Sequence, residues 1–193
     1  MKRGFLLVVF LMAVTPLVAQ QSVDSRLAAI ARVQKQNVAT RQSYTFRQTK
    51  HSPMFSTDVV SNGTMTVGPA RYLVWQYSGP NGFSLVVDGD SVYTVSGGRR
   101  AALSGSNGRT TRRMAYMMMQ LVEGESLLDN GQFSTALSET AQTYVVMLTP
   151  LRRDMRRMMQ SVSLTFDKQA MRIQTVRIEE GNDSFTLIEF EKK

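Results

Sequence analysis

The side chains that most often carry catalysis are few and scattered in this chain. His51 is the only histidine, and there is no cysteine. The serine, aspartate and glutamate residues form no nucleophile motif and no spacing typical of metal ligands. The sequence Asp88-Gly89-Asp90 is shorter than a calcium-binding loop and is typical of a hairpin turn. The sequence therefore predicts a protein that is not an enzyme and that uses neither a metal nor a cofactor.

Methionine is frequent, with 13 residues, and many of them lie in two segments with helical spacing. Apolar side chains recur at i, i+3, i+4 and i+7 in residues 110–122, and residues 151–160 form a second, shorter pattern. Because methionine is unbranched and polarizable, a surface made of it repacks around varied apolar shapes. The pattern fits both a cover over bound acyl chains and ordinary packing of a helix on a sheet. The first stripe consists of Met114, Met117, Met118 and Leu121.

Basic residues outnumber acidic ones, and the formal net charge is +8 at pH 7. Several arginines lie at or near the first methionine segment, where they are suited to contacting phosphate head groups or an acidic partner. A solvated basic surface fits the same pattern equally well. These arginines are Arg99, Arg100, Arg109, Arg112 and Arg113.

Residues 1–19 have the layout of a secretory signal peptide. Lys2 and Arg3 precede an apolar run over residues 5–14, and Ala19 supplies a small residue near its end. We predict cleavage after Ala19, and an uncleaved N-terminal anchor is the alternative. The run is shorter than the roughly 20 apolar residues of a transmembrane helix. Export predicts a periplasmic protein and makes nucleic acid an unsuitable partner for its positive charge.

Residues 20–193 are enough for one domain with a substantial core, and we expect a monomer. A first helix is predicted to begin at Ser22 or Asp24, and a second at Thr110 or Thr111. From residue 43 the apolar period changes to two, which indicates a strand. Further strands are predicted over residues 56–67, 71–78, 83–88, 91–96, 99–103, 133–138, 142–149, 162–166, 171–179 and 184–191. Three of these, at residues 72–77, 144–148 and 185–190, are largely apolar on both faces, so we expect a helix or a bound apolar molecule on each face.

The stretch at residues 63–93 carries a family pattern. A strand reaches Gly68-Pro69, an aromatic strand centres on Trp75 and Tyr77, and an apolar strand ends in Asp88-Gly89. Further matches are Phe46, Gln48 and Lys50 before this stretch and residues 146–150, 164–167 and 179–190 after it. In order and spacing, these segments resemble the LolA family, the periplasmic carriers of outer-membrane lipoproteins.

The resemblance implies a mainly β fold with helices, in which a curved, incompletely closed antiparallel β-barrel carries a helical lid over an apolar cavity. Its members take a lipoprotein or other acylated cargo from an inner-membrane ABC release complex and pass it to an outer-membrane acceptor. Shielding is needed because exposing acyl chains to water costs about 0.8 kcal/mol per CH₂ group. The resemblance assigns cargo binding to Leu73, Trp75, Tyr77, Leu85, Val87, Met114, Met117, Met118 and Leu121.

The family often has a functional arginine directly before the conserved proline, where it ties the lid to the barrel. Here that position is Gly68. Arg71, which follows the proline and is predicted to share a face with Leu73 and Trp75, is the candidate for lid control.

Two other functions remain open from the sequence. The first is an envelope lipid or lipoprotein sensor that uses the same fold and signals through a protein partner. The second is a lipid-modifying hydrolase, which the missing catalytic constellation disfavours.

Overall fold

The computed structural model describes residues 15–128 and 131–192 and begins with a long helix, α1 (Thr15–Ala39). Most of the predicted signal peptide, residues 1–14, lies outside the described residues. The predicted helix start at Ser22 or Asp24 is wrong, because both residues lie inside α1.

Eleven strands follow α1 and form one antiparallel sheet. They are β1 (Gln42–His51), β2 (Val59–Gly68), β3 (Tyr72–Tyr77), β4 (Ser84–Asp88), β5 (Ser91–Ser96), β6 (Arg99–Ala102), β7 (Phe133–Glu139), β8 (Thr143–Pro150), β9 (Ser161–Asp167), β10 (Ile173–Gly181) and β11 (Ser184–Lys192). Their order is β6-β5-β4-β3-β2-β1-β11-β10-β9-β8-β7, so β6 and β7 are edge strands and the sheet is not closed. This confirms the predicted open antiparallel sheet with helices.

Two shorter helices interrupt the strands. α2 (Gly105–Glu123) begins after Ser104, so the predicted start at Thr110 or Thr111 is wrong. The two threonine hydroxyls instead donate to carbonyls four residues back, which satisfies them inside the helix. α3 (Arg153–Arg156) is one turn long instead of spanning residues 151–160. Its continuation is prevented because the backbone N–H of Gln160 already joins the sheet by donating to the Glu179 carbonyl.

The inner face of the sheet, which α1 and α2 cover, is a continuous apolar surface. Phe46 pairs with Phe190 across β1 and β11, and Val146 pairs with Leu164 across β8 and β9. All four side chains are buried, as are most of their neighbours on this face. Period-two alternation thus collects an apolar row from each strand except the exposed edge strand β6 against the two helices.

The outer face is open and polar with scattered apolar side chains. Met147 is 45% exposed there, and Phe185 is half-buried. Phe185 is shielded by a stacked His51 ring at 5.0 Å and by the Arg177 guanidinium at 3.8 Å from its ring centre. Neighbouring side chains, instead of a helix, therefore shield the apolar residues that the strands carry on this side.

Both long helices cross the inner face and meet at Gly124. The buried side of α1 carries Leu27, Ile30 and Ala31, at helical spacing. Gly124 ends α2 in the left-handed conformation, with a φ of 78°, and a Cβ there would lie 2.9 Å from the Cα of Ala31. Only glycine satisfies both the backbone angle and the close approach of the two helices. Among the residues that the structure describes, no helix combines the length and apolarity needed to cross a membrane.

An ion-pair cluster links α1 to the far end of the sheet. The Glu139 carboxylate, at the end of β7, lies 2.9 Å from Arg26 of α1 and 2.8 Å from Lys168 in the β9–β10 turn. The hydrogen bond from Lys168, aided by Arg26, holds the pKa of Glu139 below its usual range. A second polar contact, from the buried Gln34 side chain to the Met171 carbonyl, ties α1 to the same β9–β10 turn.

Gly63 in β2 allows an aromatic ring to lie flat on the sheet, and its replacement by alanine tests this packing. A Cβ at residue 63 would lie 2.0 Å from the Gln76 carbonyl oxygen and 2.6 Å from the Phe46 ring. We expect Gly63→Ala to lower the free energy of unfolding by roughly 3 kcal/mol in urea titrations, at the upper end for overpacking. Gly68→Ala, in the same strand, is the matched control, because its Cβ would meet nothing closer than 3.6 Å. Equal effects of both variants would contradict this account.

Removing the charge of Glu139 should make stability less dependent on acid pH. Because its folded-state pKa is lowered, the carboxylate stabilises the fold above the unfolded pKa of about 4.3, and this effect is lost as pH falls through the folded value. We expect Glu139→Gln to lower the melting temperature by about 1–2 °C at pH 7 and by less as pH falls below about 4. The comparison should be repeated in a Lys168→Met background, where the effect should shrink. A constant difference at every pH would contradict the assignment.

Candidate binding site on the inner face

The residues predicted to bind cargo all lie on one side of the sheet, in or against the core. Leu73, Trp75 and Val87 of β3 and β4 are almost completely buried, and Tyr77 and Leu85 beside them are half-buried. On α2, the side chains of Met117, Met118 and Leu121 are buried, and Met114 is half-buried. All nine belong to, or pack against, one hydrophobic cluster. The structure therefore brings the predicted set together, with α2 side chains filling the space over the strands.

An aromatic cluster forms the centre of the inner face. The Phe46 ring lies 4.6 Å from the Trp75 ring and 5.5 Å from the Tyr77 ring, centre to centre. Phe190 meets Trp75 edge-on at 6.0 Å. Such pairs add about 0.5–1.5 kcal/mol each beyond the burial of their area. The cluster joins β1, β3 and β11 and fixes the orientation of the only tryptophan in the chain.

Two polar groups within this apolar surface differ in how they are satisfied. The Tyr77 hydroxyl donates to Gln48 at 3.0 Å, and burial raises the pKa of Tyr77, an effect that Trp75 and Gln48 partly offset. The indole nitrogen of Trp75 is buried, and no described atom accepts its hydrogen with hydrogen-bond geometry, although Tyr77 lies nearby. An unsatisfied buried donor costs about 1–3 kcal/mol. Among the described residues, the Trp75 indole N–H is therefore a buried donor without a well-aligned acceptor.

The rim near the β1–β2 and β3–β4 loops is apolar and exposed. Phe83 stacks on Tyr77 at 5.0 Å between ring centres and remains 41% exposed. Val60 lines a small groove with them. Met54 and Phe55, in the β1–β2 loop, are 89% and 58% exposed. Exposed apolar side chains are therefore concentrated at this end of the sheet, next to Tyr77 of the inner face.

The first of two grooves beside α2 surrounds Arg71, and we call it the Arg71 groove. It has a volume of about 480 Å³. The end of α1, the β2–β3 turn and the C-terminal half of α2 form its walls. Its lining residues are Lys35, Val38, Ala39, Gly68, Pro69, Ala70, Arg71, Tyr116, Met119, Gln120, Glu123 and Glu125.

Arg71 connects this groove to α2. Its guanidinium lies 2.8 Å from the Asp90 carboxylate and 5.2 Å from the centre of the Tyr116 ring. The Tyr116 hydroxyl donates to the Asp90 backbone carbonyl at 2.8 Å. The three residues join the β2–β3 turn, the β4–β5 turn and α2. Control of α2 by Arg71 stays a prediction.

The predicted face of Arg71 is wrong. Ala70 and Arg71 have φ values of 59° and 58°, so both lie in a left-handed turn before β3 begins at Tyr72. Period-two alternation does not extend through such a turn, and Arg71 does not share a strand face with Leu73. At Gly68, the position of the family arginine, a Cβ would meet its neighbours at ordinary contact distances. The absence of an arginine at residue 68 is therefore not forced by crowding.

Glu123 gives the Arg71 groove a titratable wall. Partial burial, followed by repulsion from Glu125, raises the pKa of the Glu123 carboxyl, and the nearby Arg71 and Lys35 work in the opposite direction. Ionising Glu123 therefore costs free energy, and Arg71 and Lys35 reduce that cost.

The second groove lies on the other side of α2, between this helix and the segment around α3, and we call it the arginine–methionine groove. Its volume is about 500 Å³. The side chains of Met117, Met155 and Met159 are buried in it, while its arginines are exposed. The lining residues are Arg109, Arg112, Arg113, Met114, Tyr116, Met117, Gln120, Gln132, Arg152, Asp154, Met155, Met158 and Met159.

Asp154 is the one carboxylate among these lining residues. It lies 3.2 Å from Arg152 and 3.5 Å from Arg113. Desolvation favours the neutral acid, but the hydrogen bond and charge of Arg152, together with Arg113, hold the pKa of Asp154 below its ordinary value. The local potential is accordingly positive.

The sequence points to the arginine and methionine segments of this groove separately, but it does not show that they lie close together in the fold. Residues 151–160 form a second methionine segment, yet nothing in their local spacing shows that they approach α2. That proximity follows from the order of the sheet, in which the β8–β9 connection and α2 reach the same face from opposite edges. Met119 was also missed, because it packs on the side of α2 that lies outside the predicted stripe.

Comparisons with solved structures return proteins of low identity. The structure is similar to the LolA superfamily protein NE2245 from Nitrosomonas europaea, with 10% identity, a TM-score of 0.40, and coverage of 86% of this chain and 91% of that one. LprF from Mycobacterium bovis matches with 12% identity, a TM-score of 0.40, and coverage of 86% and 92%. MucB in complex with MucA(peri) matches with 13% identity and a TM-score of 0.37, and 88% of this chain spans 54% of MucB.

No curated protein matches the chain significantly. A family model does match, over residues 37–193, and its description is outer membrane lipoprotein carrier protein LolA. The match covers all eleven strands, α2 and α3, together with the turn that carries Arg71. The chain belongs to the LolA family.

Proposed function

We propose that this protein is a periplasmic, non-enzymatic carrier that holds the acyl chains of a lipoprotein, or of a related lipid-linked cargo, between α2 and the inner face of the sheet. Membership of the LolA family supports this proposal. The observation that carries it is the nature of the cover over the inner face. α2 buries Met117, Met118, Met119, Leu121 and Val122, so its contact with the rest of the protein is almost wholly apolar.

The free energy from burying the apolar side chains of α2 is similar to that from burying one acyl chain. Burial of a methionine, leucine or valine side chain is worth about 1.5–3 kcal/mol, so the five buried side chains of α2 contribute on the order of 10 kcal/mol. A chain of about 16 carbons, at about 0.8 kcal/mol per CH₂ group, contributes a similar amount. Burial of one acyl chain therefore offsets the free energy lost when α2 is displaced. Because apolar surface is exchanged for apolar surface, the cargo remains removable by a better acceptor.

The inner face also offers a specific contact for such a cargo. When α2 moves away, the aromatic cluster and Leu85 become the walls of the exposed surface. The unsatisfied indole N–H of Trp75 then has an acceptor in the ester carbonyl of an acyl chain. The exposed apolar rim at Phe83 supplies a continuous route from solvent to this surface. This role requires two partners. An inner-membrane ABC release complex supplies the cargo, and an outer-membrane acceptor receives it.

Binding is tested with an acylated lipopeptide that carries a dansyl group, because Trp75, the only tryptophan, reports directly on the inner face. We expect saturable energy transfer from Trp75 in the wild-type protein. Leu85→Glu places a charge on the inner face and should weaken binding at least tenfold. Ser84→Glu places the same charge on the outer face of the same strand and should leave affinity within about twofold.

Circular dichroism and thermal unfolding of both variants separate loss of binding from loss of folding. Equal affinity of the Leu85 and Ser84 variants would contradict binding at the inner face. An absence of lipopeptide binding by the wild type would overturn the carrier proposal, and capture of a protein partner without lipid would favour the sensor.

The contacts of Arg71 and Tyr116 should slow the opening of α2. The ion pair is exposed and worth at most about 1 kcal/mol, and the tyrosine hydrogen bond about 0.5–1.5 kcal/mol. We expect the double variant Arg71→Leu/Tyr116→Phe to bind the dansyl lipopeptide about five- to tenfold faster in stopped-flow measurements. Arg47→Leu is the control, because it breaks an ion pair with Glu189 on the outer face. An unchanged rate in the double variant would show that these residues do not restrain α2.

A further inference from the structure

The arginine–methionine groove has an excess of positive charge that its own residues do not neutralise. Arg109, Arg112, Arg113 and Arg152 line it, against the single carboxylate of Asp154. Four guanidinium groups and one carboxylate leave a formal charge of +3 around an opening of about 500 Å³. Arg113 and Arg152 share Asp154, so even the paired groups are only half compensated.

The arrangement of the arginines on α2 is unfavourable without an anion. Arg109 and Arg113 are four residues apart in one helix, and like charges at this spacing repel each other on the same helix face. Arg112, one turn before Tyr116, donates to the Leu103 carbonyl at 3.1 Å. An anion between the guanidinium groups would relieve the repulsion and accept hydrogen bonds from their N–H groups.

The floor of the same groove is apolar. The side chains of Met117, Met155 and Met159 are buried in it, and those of Met114 and Met158 are half-buried. Its size falls within the roughly 300–1,000 Å³ of small-molecule sites. Methionine side chains repack around flexible alkyl chains. A small inorganic anion would contact the arginines and leave this floor empty.

We propose that the arginine–methionine groove binds a lipid whose head group carries a phosphate, with the phosphate between the arginines of α2 and Arg152 and the start of the acyl chain on the methionines. The proposal rests on the carrier function and adds to its ligands a lipid whose head group carries a phosphate. An acidic peptide matches the charge, but its short side chains do not fill an alkyl-shaped floor. The head group and the chain together account for both halves of the groove.

The ligands for the test share one chain and differ in the head group. The probes are 16-carbon lysophosphatidylglycerol, the matching monoacylglycerol, and glycerol 3-phosphate. All three are titrated calorimetrically, and the two lipids are kept below their micelle concentrations. We expect lysophosphatidylglycerol to bind at least tenfold more tightly than either of the others. The anionic preference should fall steeply with added salt, because exposed arginines contribute through screened charge.

The variants remove equal charge inside and outside the groove. Arg109→Gln/Arg113→Gln should reduce the preference for lysophosphatidylglycerol over monoacylglycerol to less than about threefold, while Asp154 keeps its contact with Arg152. Arg156→Gln/Arg157→Gln is the control, because these exposed residues lie outside the groove lining and carry the same total charge. The control should keep the wild-type preference, and thermal unfolding confirms that both proteins are folded.

Each other outcome overturns the proposal in a recognisable way. If monoacylglycerol binds as tightly as lysophosphatidylglycerol, the arginines do not recognise the phosphate. If glycerol 3-phosphate alone binds tightly, the groove is a site for a free phosphate ester. Equal loss in both double variants shows a general charge effect. If the groove shows no preference while the dansyl lipopeptide still binds at Trp75, the groove proposal fails and the carrier function stands. If no acylated ligand binds anywhere, the carrier function fails as well.

Discussion

The open edge of the sheet is the constraint on which the rest of the structure depends. Because β6 and β7 do not pair, the apolar rows of the inner face cannot be closed off by the sheet itself, and helices must cover them. α1 is fixed by polar contacts at Arg26 and Gln34 and by the close approach at Gly124. α2 has few such contacts with the sheet, and they gather around Tyr116. The two covers therefore differ in the polar contacts that join them to the sheet, and the carrier proposed here requires only α2 to move.

The inner face is specified in more detail than burial alone requires. Gly63 removes a side chain so that the Phe46 ring can lie against β2 and β3, which brings it to 4.6 Å from Trp75. This packing buries the Trp75 indole N–H beside Tyr77, where no described acceptor meets it with good hydrogen-bond geometry. A buried donor with poor hydrogen-bond geometry costs stability. In the proposed carrier function, the bound cargo would give this donor an acceptor.

The sequence predicted the strands well because period-two alternation is a local signal and the inner face is continuously apolar. It failed where a decision depended on something outside the local pattern. Thr110 and Thr111 have good capping side chains, yet their hydroxyls bond inside α2, which begins earlier. The left-handed turn at Ala70 and Arg71, made without glycine, changed the direction of the Arg71 side chain. The arginine–methionine groove was invisible because Arg109 and its methionine floor meet only through the topology of the sheet.

Met117 links the two proposed parts of the binding site. Its side chain belongs to the buried cluster over the inner face and also lines the arginine–methionine groove. A displacement of α2 that uncovers the aromatic cluster must therefore change the floor of the groove, and it moves Arg109 and Arg113 relative to Arg152. A phosphate bound between the two sides would draw α2 toward α3, whereas acyl chains under α2 would push it away from the sheet. The phosphate and the acyl chains would then shift the position of α2 in opposite directions. Release of the acyl chains would therefore depend on whether a phosphate occupies the groove, and the reverse.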